Sequence, residues 1–216
     1  MKKYIVEFIG TFFLVFTVGM VVNSQTSPIL GALAIGSALM VMVYAGGHIS
    51  GGHYNPAVTL GVWLRGKCET KDILPYWGAQ FLAAIVAAIV VFLAYDKGIK
   101  IDVESVKAAS DSDIKWVPFI IAELVGTFAL VWVVLNTATA KGTAGNSFYG
   151  LAIGFTVFIS AVTVGGISGG AFNPAVGLGL LVMGKSSWYA LAMHAGVDFI
   201  GGVLAALTFN YVNGKE

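Results

Sequence analysis

Long apolar stretches separated by short polar segments dominate the pattern of this chain. A helix that crosses the hydrocarbon core of a bilayer needs about 20 apolar residues, and six stretches approach that length. The first follows Lys2 and Lys3 as a signal peptide would, but it is long and has no clear cleavage site. The pattern therefore predicts an all-α membrane protein with six transmembrane helices, at residues 4–22, 29–47, 74–95, 116–136, 148–165 and 188–212.

Two shorter apolar runs, residues 58–64 and 176–183, each follow the tripeptide Asn-Pro-Ala. Asn at the cap and Pro at the first helical position are signals of a helix N-terminus. Neither run is long enough to span a bilayer, and irregular backbone at membrane depth is tolerated only beside protein or a water-filled cavity. We therefore predict two re-entrant half-helices, which start at Asn55, Pro56 and Ala57 and at Asn173, Pro174 and Ala175.

The chain also contains an internal repeat. Residues 7–12, Glu-Phe-Ile-Gly-Thr-Phe, return as Glu-Leu-Val-Gly-Thr-Phe at 123–128, and residues 48–58 return at 166–176, an offset of 118. Each half, residues 1–115 and residues 116–216, holds three spans. Because three is odd, the second half enters the membrane from the opposite side, which predicts an inverted repeat. The N-termini of the two half-helices could then meet near the midplane.

Composition narrows the possible functions. Hydrophobic residues make up 57% of the 216 residues and charged residues only 11%, against about 25% charged in soluble domains. The net charge of +1 gives no electrostatic case for nucleic-acid binding. The single cysteine, Cys68, excludes an intrachain disulfide.

Basic residues predict the orientation, because Lys and Arg are enriched on the cytoplasmic side. With both termini cytoplasmic, seven basic residues lie inside (Lys2, Lys3, Arg65, Lys67, Lys71, Lys141 and Lys215) and five lie outside (Lys97, Lys100, Lys107, Lys115 and Lys185). The short termini suggest a prokaryotic inner membrane.

These motifs resemble those of the aquaporin, or major intrinsic protein, family over essentially the whole chain. The resemblance rests on the paired Asn-Pro-Ala motifs, the repeated Glu-x-x-Gly-Thr-Phe and the run Ser-Gly-Gly-His-x-Asn-Pro-Ala-Val-Thr. It implies an aquaporin-like fold, a homotetramer with one pore per subunit, and a passive channel for water and small uncharged solutes.

The physical interpretation agrees with the resemblance. Two helix N-termini that face one point concentrate positive potential there, which repels cations and protons. Asn55 and Asn173 can offer side-chain N–H donors to a passing solute oxygen. The alternative, that Asn and Pro merely cap two short helices, does not explain why the same longer motif occurs in both halves.

Acidic residues inside membrane helices are functional candidates by default. The resemblance implies that Glu7 and Glu123 accept hydrogen bonds from the re-entrant loops; direct contact with solute is the alternative.

The resemblance also puts His48 and His53 on the first loop near the cytoplasmic side, where carbonyls of Gly51, Gly52 and His53 would form acceptor steps. The imidazoles would brace the loop or, alternatively, gate the pore with pH.

One departure from the family pattern bears on selectivity. Most members carry Arg directly after the second Asn-Pro-Ala, whereas this chain has Val176, and its one arginine is Arg65. By spacing, the other filter positions are Ile35, Ala161 and Gly170, which together predict a wide apolar opening. Urea, glycerol, hydrogen peroxide, ammonia or neutral metalloid acids would then pass. The alternative is that nearby aromatic side chains refill the opening and leave a strictly water-selective aquaporin.

Asp198 takes the place of the usual family Pro in the last span. His194 lies four residues earlier, so the two could pair on one helix face, as an interior pair or as a contact at a subunit interface. Cys68 follows the first half-helix and is expected at the cytoplasmic surface, outside the constriction.

Two other function classes compete. An alternating-access transporter also uses inverted repeats, and Glu7, Glu123 and Asp198 are candidate coupling sites. An enzyme is not expected, because the chain has no P-loop, no metal-ligand motif and no catalytic set outside the spans. No cofactor or bound metal is expected; the expected partners are water, small neutral solutes and the bilayer.

Overall fold

The computed structural model describes residues 1–24, 26–95 and 114–214. Within these ranges the chain forms eight α-helices. α5 continues into a π-helical turn, Leu135–Thr139, and a 3-10 turn follows at Lys141–Thr143. The helices are α1 (Lys2–Asn23), α2 (Pro28–Ser50), α3 (Pro56–Leu64), α4 (Thr70–Ala94), α5 (Trp116–Val134), α6 (Tyr149–Ser168), α7 (Pro174–Val182) and α8 (Trp188–Asn213).

The six long helices are long and apolar enough to cross a membrane, which confirms the predicted all-α fold. Their ends differ from the prediction by a few residues: α2 extends to Ser50 and α4 begins at Thr70. α2 runs on because nothing stops it before Gly51, whose φ of 90° ends the helix. The predicted loop at residues 96–115 lies mostly outside the described residues, as does Lys215.

Large apolar side chains cover the outer surface of the helices, and small ones fill the interior. Ile5, Leu74 and Val117 are 58%, 73% and 69% exposed, as expected where helices face lipid tails. In α4, by contrast, Ala83 and Ala87 are fully buried. Small interior residues let membrane helices approach closely, because van der Waals packing replaces the hydrophobic drive between them.

Two glycines set the contact between the halves. α2 packs on α6, and a Cβ on Gly36 would lie 2.6 Å from the carbonyl oxygen of Gly154. Within the halves, α1 packs on α2 and α4, and α5 packs in the same way on α6 and α8. The two halves therefore repeat one packing scheme.

The half-helices α3 and α7 have nine residues each, so neither can span a bilayer. Each packs against the last helix of the other half, α3 on α8 and α7 on α4. This exchange brings the starts of both short helices to the middle of the bundle.

Candidate functional site

The starts of α3 and α7 are bonded to each other. Oδ1 of Asn55 caps α3 by accepting from the Ala57 N–H at 2.8 Å, and Oδ1 of Asn173 caps α7 by accepting from the Ala175 N–H at 2.9 Å. The Nδ2 group of each asparagine bonds to the loop of the other half. Each side chain therefore caps its own helix and holds the other loop.

The crossed bonds are reciprocal. Nδ2 of Asn55 donates to the carbonyl oxygen of Phe172 at 2.8 Å, and Nδ2 of Asn173 donates to that of Tyr54 at 2.9 Å. Each amide has a second N–H beyond the one used here. Both asparagines lie on the wall of the central cavity, where that second donor can serve a solute.

Glu7 organises the first loop from within α1. Its Oε1 accepts from the Ser50 hydroxyl at 2.7 Å and the His53 N–H at 2.9 Å. Its Oε2 accepts from the Tyr54 N–H at 2.7 Å and the Gln80 amide at 2.9 Å. The side chain is completely buried and is not on the cavity wall. The carboxylate thus satisfies loop N–H groups that no helix could satisfy.

Glu123 repeats this arrangement in the second half. Oε1 accepts from the Ser168 hydroxyl and, at 3.2 Å, from the Ala171 N–H, and Oε2 accepts from the Phe172 N–H at 2.8 Å. Glu123 is also completely buried. Both glutamates therefore accept hydrogen bonds from the re-entrant loops, and neither lines the cavity.

The residues before the two asparagines have an unusual backbone. Tyr54 and Phe172 have φ values of 49° and 48°, in the left-handed region that costs side chains other than Gly free energy. The Glu7 and Glu123 bonds stabilise this conformation, and the rings lie directly on Gly10 and Gly126. A Cβ at either glycine would overlap the ring, so close approach requires glycine there.

A cavity of about 390 Å³ runs beside the junction of α3 and α7. All four predicted filter residues, Ile35, Ala161, Gly170 and Val176, line it. The rest of the described wall is mostly aliphatic, and it includes no Phe, Tyr or Trp. Lys185, an exposed residue beyond α7, also borders this cavity.

Arg65 is not part of this wall. It follows α3, is only 6% exposed, and its guanidinium lies 4.7 Å from the centre of the Phe209 ring. Because Arg65 is the one arginine of the chain, a different alignment of the motifs would not put an arginine at the predicted filter.

The first loop borders the same cavity through Gly52 and His53. His53 is buried, with Nδ1 3.2 Å from the Thr59 hydroxyl and its ring packed on Tyr76. The expected place of His48 on this loop is wrong: His48 lies in the last turn of α2, because that helix continues to Ser50. His48 and Gly51 border a second cavity of about 500 Å³ beside the π-helical turn.

The predicted pairing of His194 with Asp198 is also wrong. Nδ1 of His194 lies 3.1 Å from Oε2 of Glu123, an ion-pair distance, although the ring N–H is not aligned for a hydrogen bond. Oδ1 of Asp198 accepts from the Thr127 hydroxyl at 2.9 Å. Both side chains turn toward α5, since α8 packs its buried face there. The sequence has no metal-ligand motif, yet the fold brings Glu123, His194 and Asp198 together in the interior.

Cys68 borders a third cavity of about 430 Å³ and not the cavity that holds the filter residues. Burial raises the pKa of its thiol to about 11. At neutral pH the thiolate, which is the reactive form, is therefore scarce.

Sequence reasoning missed several loop supports. Ser50 and Ser168 donate to the two glutamates, Gln80 donates to Glu7, and Tyr76 donates to the Ser50 carbonyl oxygen at 2.6 Å. The two serines are equivalent in the repeat, and Gln80 is a polar residue inside an apolar span. Those two signals were available in the sequence.

Comparisons with known proteins agree over the whole chain. The family described as Major intrinsic protein matches residues 1–209. Aquaporin AqpM of Methanothermobacter thermautotrophicus is 33% identical, over 99% of this chain and 98% of that protein. Glycerol uptake facilitator protein-like 6 of Lactiplantibacillus plantarum is 32% identical, over the full length of both.

A solved structure supports the fold. The aquaglyceroporin from Plasmodium falciparum superposes with a TM-score of 0.79 over 97% of this chain and 95% of that one. Its sequence identity is 23%, so this similarity concerns the fold alone.

Proposed function

The chain belongs to the major intrinsic protein family, and from that premise we propose that it passes small uncharged solutes as well as water. It is a multi-pass membrane channel of the aquaporin and glycerol-facilitator type, and members of this family are channels rather than enzymes. The candidate solutes are glycerol, urea, hydrogen peroxide, ammonia and neutral metalloid acids.

The observation that carries this proposal is the wall at the predicted filter. The cavity is bordered there by four uncharged, apolar residues, Ile35, Ala161, Gly170 and Val176. A wall of this kind lacks the side chain that would reject a solute larger than water.

The strictly water-selective alternative requires aromatic side chains at the opening. Among the described residues that line the cavity, none is Phe, Tyr or Trp. The wide filter is therefore the better supported of the two interpretations.

Ion exclusion is assigned to the junction of the half-helices. The N-terminus of a helix carries about half a positive charge, and α3 and α7 both begin at this junction. Their combined potential opposes cations, while the asparagine amides replace the hydrogen bonds that a neutral solute leaves behind in water. Because position 176 is valine and not arginine, this junction supplies more of the electrostatic barrier to cations than it does in relatives with arginine there.

The contacts of the buried acidic residues favour a channel over an alternating-access transporter. The carboxylate oxygens of Glu7 and Glu123 accept hydrogen bonds from the loops, and Asp198 faces α5. None of the three borders the cavity. A coupling ion that travels along this wall would not meet them.

The larger organisation is proposed on the same premise. Residues 1–115 and 116–216 form two inverted repeats, both termini lie in the cytoplasm of a prokaryotic inner membrane, and four subunits assemble with one pore each. The crossed bonds of Asn55 and Asn173 support the two-fold relation, because equivalent residues make equivalent contacts.

Stopped-flow light scattering on proteoliposomes tests the proposed function, with osmotic water flux compared with glycerol and urea uptake. We expect solute uptake by the wild type and its loss in Val176→Arg. Val176→Leu adds bulk without charge and is the matched control. Fast water flux without solute uptake in the wild type would refute the proposed breadth and leave the channel fold intact.

A further inference from the structure

The two halves brace their loops with different chemistry. At the offset of 118 residues that relates the Asn-Pro-Ala motifs, Gln80 corresponds to Asp198 and Tyr76 to His194. In the first half the Gln80 amide, which is neutral at every pH, donates to Glu7 at 2.9 Å. The second half puts a carboxyl and an imidazole where the first has an amide and a phenol.

These groups meet inside the protein. Glu123, His194 and Asp198 each offer one atom to a cluster in which all three atoms lie within 4.8 Å of one another. Their exposures are 0%, 2% and 0%. Oδ2 of Asp198 has no hydrogen-bond partner, whereas its Oδ1 accepts from Thr127.

Two ionised carboxylates at one buried site repel each other, and the basic group of the cluster, the His194 imidazole, lies at ion-pair distance from Glu123. Desolvation and mutual repulsion both oppose the doubly charged state, so one group of such a pair keeps a proton. Glu123 must accept from the loop N–H groups of Ala171 and Phe172, which favours its charged form. The proton therefore belongs on Asp198, whose unpartnered oxygen then becomes an O–H donor.

The elements packed around the cluster bring few other groups to it. From α5 come Glu123, Thr127 and Phe119, whose ring centre lies 4.7 Å from that of His194. The end of α6 contributes Ser168, and α7 faces His194 with Gly177. Within the described part of the chain, the charged side chains that act on Glu123 and Asp198 are one another and His194.

We propose that Asp198 holds a proton which it shares with Glu123, and that Asp198 and His194 thereby position the second loop. A protonated carboxyl donates to Glu123 as the Gln80 amide donates to Glu7. The His194 imidazole lies beside the same carboxylate, with Nδ1 3.1 Å from Oε2 of Glu123. The second loop carries Gly170 and leads to Val176, so the predicted filter depends on this proton. The first loop has the neutral Gln80 amide at the equivalent position.

Infrared spectroscopy of the full-length protein in lipid vesicles tests where the proton is, without any reference to transport. We expect the carbonyl stretch of a buried protonated carboxylic acid in the wild type at neutral pH and its loss in Asp198→Asn. Absence of that band from the wild type, or its persistence in Asp198→Asn, would overturn the proposal. Stoichiometric divalent metal in the purified protein, lost in the same variant, would overturn it in favour of a bound cation.

The positioning role has a separate readout in the pH profile of permeability, which rests on the proposed function. We expect the ratio of solute to water flux in the wild type to change with rising pH where the shared proton is lost, and that of Asp198→Asn to stay flat over the same pH range. Gln80→Glu is the converse variant and should give the first loop a new pH dependence. Equal profiles for the wild type and Asp198→Asn would refute the positioning role, and channel failure in all variants would refute only the proposed function.

Discussion

The side-chain amide of Asn55 donates to the carbonyl oxygen of Phe172 at 2.8 Å, which joins the start of one half-helix to the loop of the other. The same side chain caps its own helix through Oδ1. One asparagine therefore links the two halves of the chain at the point where the cavity passes.

Asn55→Ala should destabilise the protein, because it removes both a helix cap and a bond between the halves. A lost cap costs about 0.5–2 kcal/mol, and a buried carbonyl left without its donor costs about 1–3 kcal/mol. We expect a decrease in the free energy of unfolding within the sum of these ranges, measured by denaturation in detergent micelles.

Asn213→Ala is the control for this substitution, since the Asn213 amide donates within its own helix, to the carbonyl oxygen of Phe209. Equal stability of Asn55→Ala and Asn213→Ala would contradict the linking role.

Glu7→Gln should disrupt the first loop, because a glutamine has one acceptor oxygen where the carboxylate has two. Glu7 accepts four bonds, from Ser50, His53, Tyr54 and Gln80. The NH2 group of the glutamine would then face at least one N–H or O–H donor of the loop, and neither could accept a hydrogen bond from the other. Each buried group left unpaired costs about 1–3 kcal/mol.

The midpoint temperature of thermal unfolding and the water permeability should both decrease in Glu7→Gln. Glu123→Gln is the matched variant of the second half and should behave in the same way. A Glu7→Gln channel with wild-type stability and flux would show that the loop does not depend on the second oxygen.

Gly10→Ala should be destabilising although alanine is the better helix former. A Cβ at Gly10 would overlap the Tyr54 ring, whose position follows from the positive φ of that residue. Overpacking of this kind costs about 1–3 kcal/mol.

Gly78→Ala is the control for the glycine substitution. Gly78 lies inside α4 with open space where a Cβ would be, so alanine there should stabilise by about 0.5–1 kcal/mol. Opposite signs in the two free energies of unfolding are expected. A stabilised Gly10→Ala would mean that the ring can move away at little cost.

Mercurial reagents should block the wild-type channel only weakly. Cys68 borders a cavity other than the one with the filter residues, and its thiol, with a pKa of about 11, is mostly protonated at neutral pH. Raising the pH toward that pKa should increase the thiolate fraction and accelerate labelling.

Ala161→Cys should confer strong block, because residue 161 lies on the wall of the central cavity. Osmotic water flux before and after reagent measures both effects. Strong inhibition of the wild type that Cys68→Ser abolishes would overturn the placement of Cys68.

The sequence by itself determined the membrane character, the six spans and the two half-helices. Those features depend on local properties: the length of an apolar run, an Asn-Pro pair at a helix start, and a motif that occurs twice. The hydrogen bonds of Glu7 and Glu123 to the loops followed from the family resemblance. Spacing to the motifs predicted four filter residues, which all line one cavity.

Only the tertiary structure decided which polar groups meet across helices. His194 and Asp198 lie on one helix, and sequence spacing suggested that they pair, but both turn toward α5 and meet Glu123 and Thr127 instead. Gln80 became a partner of Glu7 in the same way. Local spacing determines which face of a helix a residue occupies, whereas its partner depends on which helix packs against that face, and that is settled by the packing of the whole bundle.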